Sequence, residues 1–262
     1  MRRERAPIWI AILAAIGAAF FVVPLVGLVV RTPWGDALQS LTSTDTLQAL
    51  KLSLIASLSS TALSLVLGVP LAWVYARIDF PGRTVLRALT TLPMVLPPVV
   101  GGIALLLAFG RRGLLGSWLD AAFGITLPFT TAGVVFAETF VAMPFLVLTV
   151  EAGLRSMDRR YEAAARTLGA RRWTVFTRVT LPLIAPSLLA GAVLCWARAL
   201  GEFGATITFA GNFPGVTQTM PLAVYLLLES NHPEGSFILS LLLLLVSLAV
   251  LVGLRHRWLG SA

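Results

Sequence analysis

An all-α integral membrane protein with six transmembrane helices is what this sequence predicts, and two features carry the expectation. The 262-residue chain is 57% hydrophobic and 12% charged, whereas a soluble domain carries roughly 45–50% apolar and about 25% charged residues. Its apolar residues are gathered into runs of about 20, the length that crosses a hydrocarbon core of roughly 30 Å as a helix. A soluble fold of this length would leave much apolar area exposed, so that class is excluded.

The spans follow in order. Ile8 to Val30, Leu52 to Tyr75 and Phe237 to Leu254 hold no charge, and each is long enough to satisfy its backbone internally as a helix. The first is a retained span rather than a cleaved leader, because its 23 residues exceed the ~7–15 of a signal h-region and no small-x-small site follows before Arg31. Three further spans are interrupted. Ala88 to Phe109 contains Pro93, Pro97, Pro98, Gly101 and Gly102; Thr131 to Val150 contains Glu138; Leu183 to Phe209 contains Arg198 and Glu202. Met220 to Leu228, opened by Pro221, is too short to cross and reads as an interfacial or re-entrant helix. The whole chain, 1–262, forms one transmembrane domain, since no connecting segment is long enough to be a domain of its own.

Lysine and arginine positions orient the chain. Six spans place both termini on one side, with the loops between spans two and three and between four and five. That side holds Arg2, Arg3, Arg5, Arg77, Arg83, Arg87, Arg155, Arg159, Arg160, Arg166, Arg171, Arg172, Arg178, Arg255 and Arg257, against Arg31, Lys51, Arg111 and Arg112 on the other. The positive-inside rule makes the basic side cytoplasmic in the cell (plasma or inner) membrane. Topology therefore explains the net charge of +8, and nucleic-acid binding gains no support from it. Trp9, Trp34, Trp73, Tyr75 and Trp258 fall at span ends, as an aromatic belt in the lipid bilayer places them.

Several chemistries find no residues to carry them. Cys195 is the one cysteine, so no disulfide forms within the chain, and a lone buried thiol reads as a packing residue. His232 and His256 lack the partners of a metal site. There is no G-x-x-x-x-G-K-[ST] phosphate loop, so transport driven by ATP would need another chain to hydrolyse it. The chain is expected to be no enzyme and to hold no cofactor. A secondary carrier is a rival from another class, but the chain lacks internal hydropathy symmetry and has few spans for a carrier acting alone.

One polar island stands out between spans four and five, EAAARTLGARRWTVFTRVTLP, Glu162 to Pro182. Asp158 or Ser156 is placed to cap a short helix, Glu162 falls in its first turns, and Gly169 ends it in a left-handed cap. A second short helix, Ala170 to Val179, carries Trp173 and Phe176, and Leu181-Pro182 opens span five. Tyr161, Ala165 and Leu168 share a narrow face, while Ala163 and Ala164 allow close approach of a partner. Anionic lipid gripped by the arginines is the plainer reading, at roughly 1 kcal/mol each.

The spacing supplies a second reading. This run resembles the cytoplasmic signature of permease subunits of ATP-binding-cassette importers: an EAA triplet, a glycine, and a hydrophobic-x-Leu-Pro ending. Val179 stands ten residues after Gly169, and Leu181 and Pro182 twelve and thirteen after it. One position departs, since the pattern has glutamate six residues before the glycine, where this chain has Ala163, and Glu162 is one residue early. That offset rotates the carboxylate by ~100°. The resemblance implies a type I importer permease fold working as a homodimer, joined by two ATP-binding subunits and an external substrate-binding protein. It also makes the loop 155–182 a coupling element, with Glu162, Ala163, Ala164, Gly169, Arg171, Trp173, Leu181 and Pro182 meeting the ATPase subunit.

Span five continues as ARALGEFGATITFAGNFPGVTQTMPLAVY, Ala197 to Tyr225, and is similar to molybdate permeases and, less closely, sulfate permeases. The resemblance implies a molybdate or tungstate importer, with sulfate or thiosulfate as alternatives. Within it, Arg198 and Glu202 lie four residues apart on one helical face, where opposite charges cancel. Two readings stand: a buried ion pair that fixes packing, or an intramembrane functional site to which Thr206, Thr208 and Asn212 add donors. Pro97, Pro98 and Gly101 carry a similar pair of readings, because a proline-broken helix either lines the path or simply kinks for packing.

Overall fold

The computed structural model describes residues 7–230 and 233–259. Arg2, Arg3, Arg5 and His232, and the side chains of Arg255, His256, Arg257 and Trp258, lie outside what it describes. The described residues are helical and contain no strand. Five helices are long and apolar enough to cross a membrane, and a bent pair brings the number to six.

Helix α1 (Ile8–Arg31) buries no residue and packs against the last helix. The segment after it contains α2 (Ala37–Thr42). Helix α3 (Thr44–Arg77) begins eight residues before the expected span, where Ser43 accepts a hydrogen bond from Thr46 N and Asp45 lies in the positive first turn. Along α3 small side chains recur every three or four residues. Ser53, Ala56, Ser57, Ser60, Ser64, Gly68 and Ala72 are buried, and this face meets α7 (Thr131–Ser156) and α10 (Leu181–Leu200). In lipid, where apolar burial gives helices little reason to associate, small residues let backbones approach and gain dispersion contacts. Large side chains fill the gaps: Tyr75, Leu146, Val150, Leu154 and Ile184 form the core of this three-helix unit with Ala142, Cys195 and Ala199.

The third expected span is not one helix. Helix α4 (Arg83–Thr91) and the 3₁₀ turn Leu92–Met94 give way to α5 (Pro98–Phe109), with a bend of 120° between them. Pro93, Pro97 and Pro98 have no N–H to continue the ladder; Leu92 before Pro93 stays helical, whereas Pro97 before Pro98 is pushed to extended backbone at φ −54°, ψ 130°. Past α5 lies α6 (Gly116–Phe123).

The fifth span also stops short of its expected end. Helix α10 ends at Leu200, and after Gly201–Phe203 a new helix, α11 (Gly204–Ala210), packs against α5 and α7. A second core of Leu105, Ala137, Val141, Ala205 and Phe209 joins these three. Gly102 lets α5 meet α11, since a Cβ there would stand 2.6 Å from Thr208 Cβ and 2.9 Å from the Ala205 carbonyl. The short helix expected at Met220 is present as α12 (Met220–Glu229), with Pro221 in its first turn. It packs against α13 (Pro233–Leu259) and the start of α3, around Ala49, Met220, Ala223 and Leu239.

Candidate functional site

The island between α7 and α10 folds as α8 (Arg160–Thr167), a turn, α9 (Arg172–Val175) and a π turn, Phe176–Thr180. Asp158 supplies the start, its Oδ1 accepting from Arg160 N at 2.9 Å. Gly169 stops α8 at φ 81°, while Gly169 N and Ala170 N return to Arg166 and Ala165 carbonyls. That left-handed angle is open to glycine and strained for a β-branched residue.

Leu181 and Pro182 stand in the first turn of α10, as the sequence suggested, but α10 does not begin afresh there. Helix runs without a stop from Arg172 to Leu200, and Pro182 lies within it. The wider π turn just before the proline accommodates its missing N–H, so α9 and span five form one continuous rod.

Glu162 is the pivot of the loop. Its Oε1 accepts from Thr180 Oγ1 at 2.7 Å and from Arg77 Nη2 at 3.3 Å, and its Oε2 lies 4.0 Å from Arg166 Nη2. The Glu162 carboxylate thus faces inward, onto the end of α3 and the π turn, and Ala163 and Ala164 are exposed. Outward stand Tyr161, Leu168 and Trp173, with Leu168 88% and Trp173 73% exposed, and Arg171 and Arg172 beside them. Large apolar side chains rimmed by arginine on a rigid support have the composition of a protein interface.

Sequence reasoning had counted Arg77, Arg155 and Arg159 only as cytoplasmic charge. In the structure Arg155 Nη2 donates to the Tyr75 carbonyl and Arg159 Nη2 to the Ala76 carbonyl, each at 3.3 Å. Both cap the negative C-terminal end of α3. Glu151, four residues before Arg155, was overlooked although its i,i+4 spacing was visible; it is 1% exposed and paired with Arg155.

At the other polar cluster, Arg198 Nη1 lies 2.6 Å from Glu202 Oε2, a charge contact between the end of α10 and the break that follows. Glu202, 1% exposed, also caps α11, because its Oε1 accepts from Ala205 N at 2.8 Å. Thr208 bonds its own helix, donating to the Gly204 carbonyl at 2.7 Å, while Thr206 Oγ1 is buried without a partner. Glu138 Oε2 and Asn212 Oδ1 are likewise buried and unpartnered. Gly101 faces Phe140, and Pro98 packs over Gly204, so the broken helices touch. Among the described residues no group of three or more His, Cys, Asp or Glu converges on one point.

The chain is similar to known proteins over most of its length. The chain is 49% identical over 96% of its length to the molybdenum transport system permease protein ModB of Mycobacterium tuberculosis, covering 94% of that protein. It is 44% identical over 81% of its length to the protein of that name in Escherichia coli K12, covering 93% of it, and 38% identical over 85% to the E. coli sulfate transport system permease protein CysT, covering 81%. Among solved structures, a bacterial ABC transporter involved in import of the acidic polysaccharide alginate matches with a TM-score of 0.74 at 20% identity, over 96% of this chain and 94% of that one. That last likeness is one of fold. Residues 64–259 match the family described as binding-protein-dependent transport system inner membrane component, and with relatives this similar over most of its length the chain belongs to that family of multi-pass membrane proteins.

Proposed function

We propose that the chain is the membrane-spanning permease of an ATP-driven importer for molybdate or tungstate. Two copies form the path, and two ATP-binding subunits hydrolyse the ATP. An external binding protein chooses the anion. The single observation that carries the substrate is the 49% identity over 96% of the chain to a molybdenum permease, against 38% to a sulfate permease. In this reading the termini and the loop 155–182 face the cytoplasm, as the arginine distribution asks.

The loop would work as a lever. Tyr161, Ala163, Ala164, Leu168, Arg171 and Trp173 form the surface that enters a cleft of the ATP-binding subunit, and Gly169 sets the angle between α8 and α9. The continuous rod from Arg172 through Leu181 and Pro182 to Leu200 carries the push into the membrane. At its far end lie Arg198, Glu202 and the break before α11, where α11 meets Pro98 and Gly102 of α5. Irregular backbone at membrane depth is tolerated where protein buries it or where it lines a water-filled path. Two broken helices in contact therefore support a gate at this place, with Pro97, Pro98, Thr206 and Thr208 beside it. Arg198 is neutralised by Glu202, so in this reading the pair is a clamp on the gate and no anchor for the anion.

The test begins with the cognate binding protein, titrated with molybdate, tungstate, sulfate and thiosulfate, and continues with the whole complex in liposomes. Tightest binding of molybdate or tungstate and ATP-dependent uptake of that anion is the expected result. A preference for sulfate would overturn the substrate, and uptake that proceeds without ATP would overturn the importer.

A further inference from the structure

Helix α4 has no buried residue, and Val85, Leu86 and Leu89 are exposed, so apolar packing does little to hold it to the rest of the chain. Polar links hold it instead. Arg87 Nε on α4 lies 3.1 Å from Oε2 of Glu151 on α7. The other oxygen, Oε1, accepts from Arg155 Nε at 2.9 Å, and Arg155 Nη2 donates to the Tyr75 carbonyl on α3 at 3.3 Å. One turn beyond Arg87, Thr90 Oγ1 shares a hydrogen bond of 2.7 Å with the Tyr75 hydroxyl. The ring thus runs α4–α7–α3 and back to α4. Its centre, Glu151, is 1% exposed, and a carboxylate so deep is tolerated only because two guanidinium groups flank it.

Position gives the ring its meaning. Glu151 stands five residues before the end of α7, which leads within four residues into α8. On its other side, α4 leads through Leu92–Met94 and Pro97 to α5, whose Gly102 abuts Ala205 and Thr208 of α11. We propose that Glu151 is a positioning residue: gripped by Arg87, it carries movement of the α8 loop into α4 and so to the proline break, a second route beside the α10 rod. This rests on the importer reading above. A helix tied by a few polar contacts follows its anchor as a rigid body, whereas one packed into the core would resist. Cutting the anchor should therefore leave the loop docked and α10 pushed, but the α5 side of the gate untimed.

The experiment uses the assembled complex in liposomes, with molybdate-loaded binding protein, and reads uptake and ATP hydrolysis together. Arg87→Gln should lower anion uptake per ATP by about 5-fold or more, the span of coupling changes that one contact controls, while stimulated ATPase persists. Arg87→Lys, which keeps the charge, should hold the ratio within about 2-fold of wild type. Glu151→Gln should match Arg87→Gln, and the double variant should be no worse than either, because both cut one link. An unchanged ratio in Arg87→Gln would overturn the proposal, as would uptake and ATPase falling together, since that is a docking defect. If Glu151→Gln fails to assemble, Arg87→Gln decides alone, because Arg87 is half exposed at the edge of the bundle. Wild-type complex without ATP-driven uptake would overturn the importer reading itself, a result distinguishable from failure of the link.

Discussion

Thr180 Oγ1 donates to Glu162 Oε1 across 2.7 Å, with both side chains buried, and this contact ties α8 to the π turn ahead of Pro182. Eighteen residues apart in sequence, the two make the loop one body with span five. Thr180→Val keeps the shape and removes the hydroxyl, leaving Glu162 with Arg77 and Arg166. A cost of about 1–2 kcal/mol is expected. Thermal unfolding of the purified chain should register it, and uptake per ATP should fall as the loop slackens against α10. Unchanged stability and uptake would show that Arg77 alone holds Glu162.

Gly169 has nothing within 4 Å of the place a Cβ would occupy, so backbone angle is the one objection to a side chain there. Gly169→Val should strain the φ of 81° by roughly 1–2 kcal/mol and swing α9 away from α8 while the spans stay intact. Gly169→Asn, tolerant of left-handed backbone, should retain most activity. The measurement is stimulated ATPase and uptake of the reconstituted complex. Anchoring to anionic lipid predicts no loss in either variant, because all the arginines remain.

Arg198 and Glu202 are unequal partners. Glu202 is almost wholly buried and caps α11, while the Arg198 side chain is 28% exposed. Arg198→Ala therefore leaves an uncompensated buried charge, costing about 3–5 kcal/mol. Glu202→Gln preserves a cap for Ala205 N and leaves a cation that is only partly buried, so it should cost less. Unfolding midpoints in detergent check the order, and equal losses would argue against the capping role.

Gly102→Ala should force α5 from α11, because its Cβ would fall on Thr208 and the Ala205 carbonyl. The expected cost is about 1–3 kcal/mol of overpacking, with uptake falling more than ATPase. The same change at Gly17, where nothing lies within 4 Å, should be silent and serves as the control.

Orientation is checked by labelling. Leu114→Cys, 86% exposed between α5 and α6, should react with an impermeant external thiol reagent in intact cells, and Arg171→Cys should not; Cys195 is buried and contributes no background. External labelling at position 171 would reverse the topology.

Much of this protein was legible without coordinates, because lipid imposes a demand that acts on each segment locally. Every spanning backbone must satisfy itself, so runs of about 20 apolar residues declare their helices, and Gly169 declares a turn by lacking a Cβ. The prolines announced that span three would break. They said nothing of its direction, and the bend of 120° goes with the polar links that tie α4 to α7 and α3 and the packing of α5 on α11. The continuity of α9 with α10 through Pro182 was likewise hidden, since a proline reads as a helix start wherever no neighbour supports a wider turn. Nor did spacing reveal that Glu162 faces Arg77 and Thr180, or that Glu151 joins Arg87 to Arg155. Arg77 and Arg87 lie 85 and 64 residues from their carboxylates along the chain, and only the packing of α3, α4 and α7 brings them within reach. The long apolar helices and the places where charge collects were legible in the sequence because those preferences are local; α2, α6, the break after Leu200 and the meeting of particular charges came only from tertiary structure, because breaks and salt bridges depend on contacts that the chain closes only once it has folded.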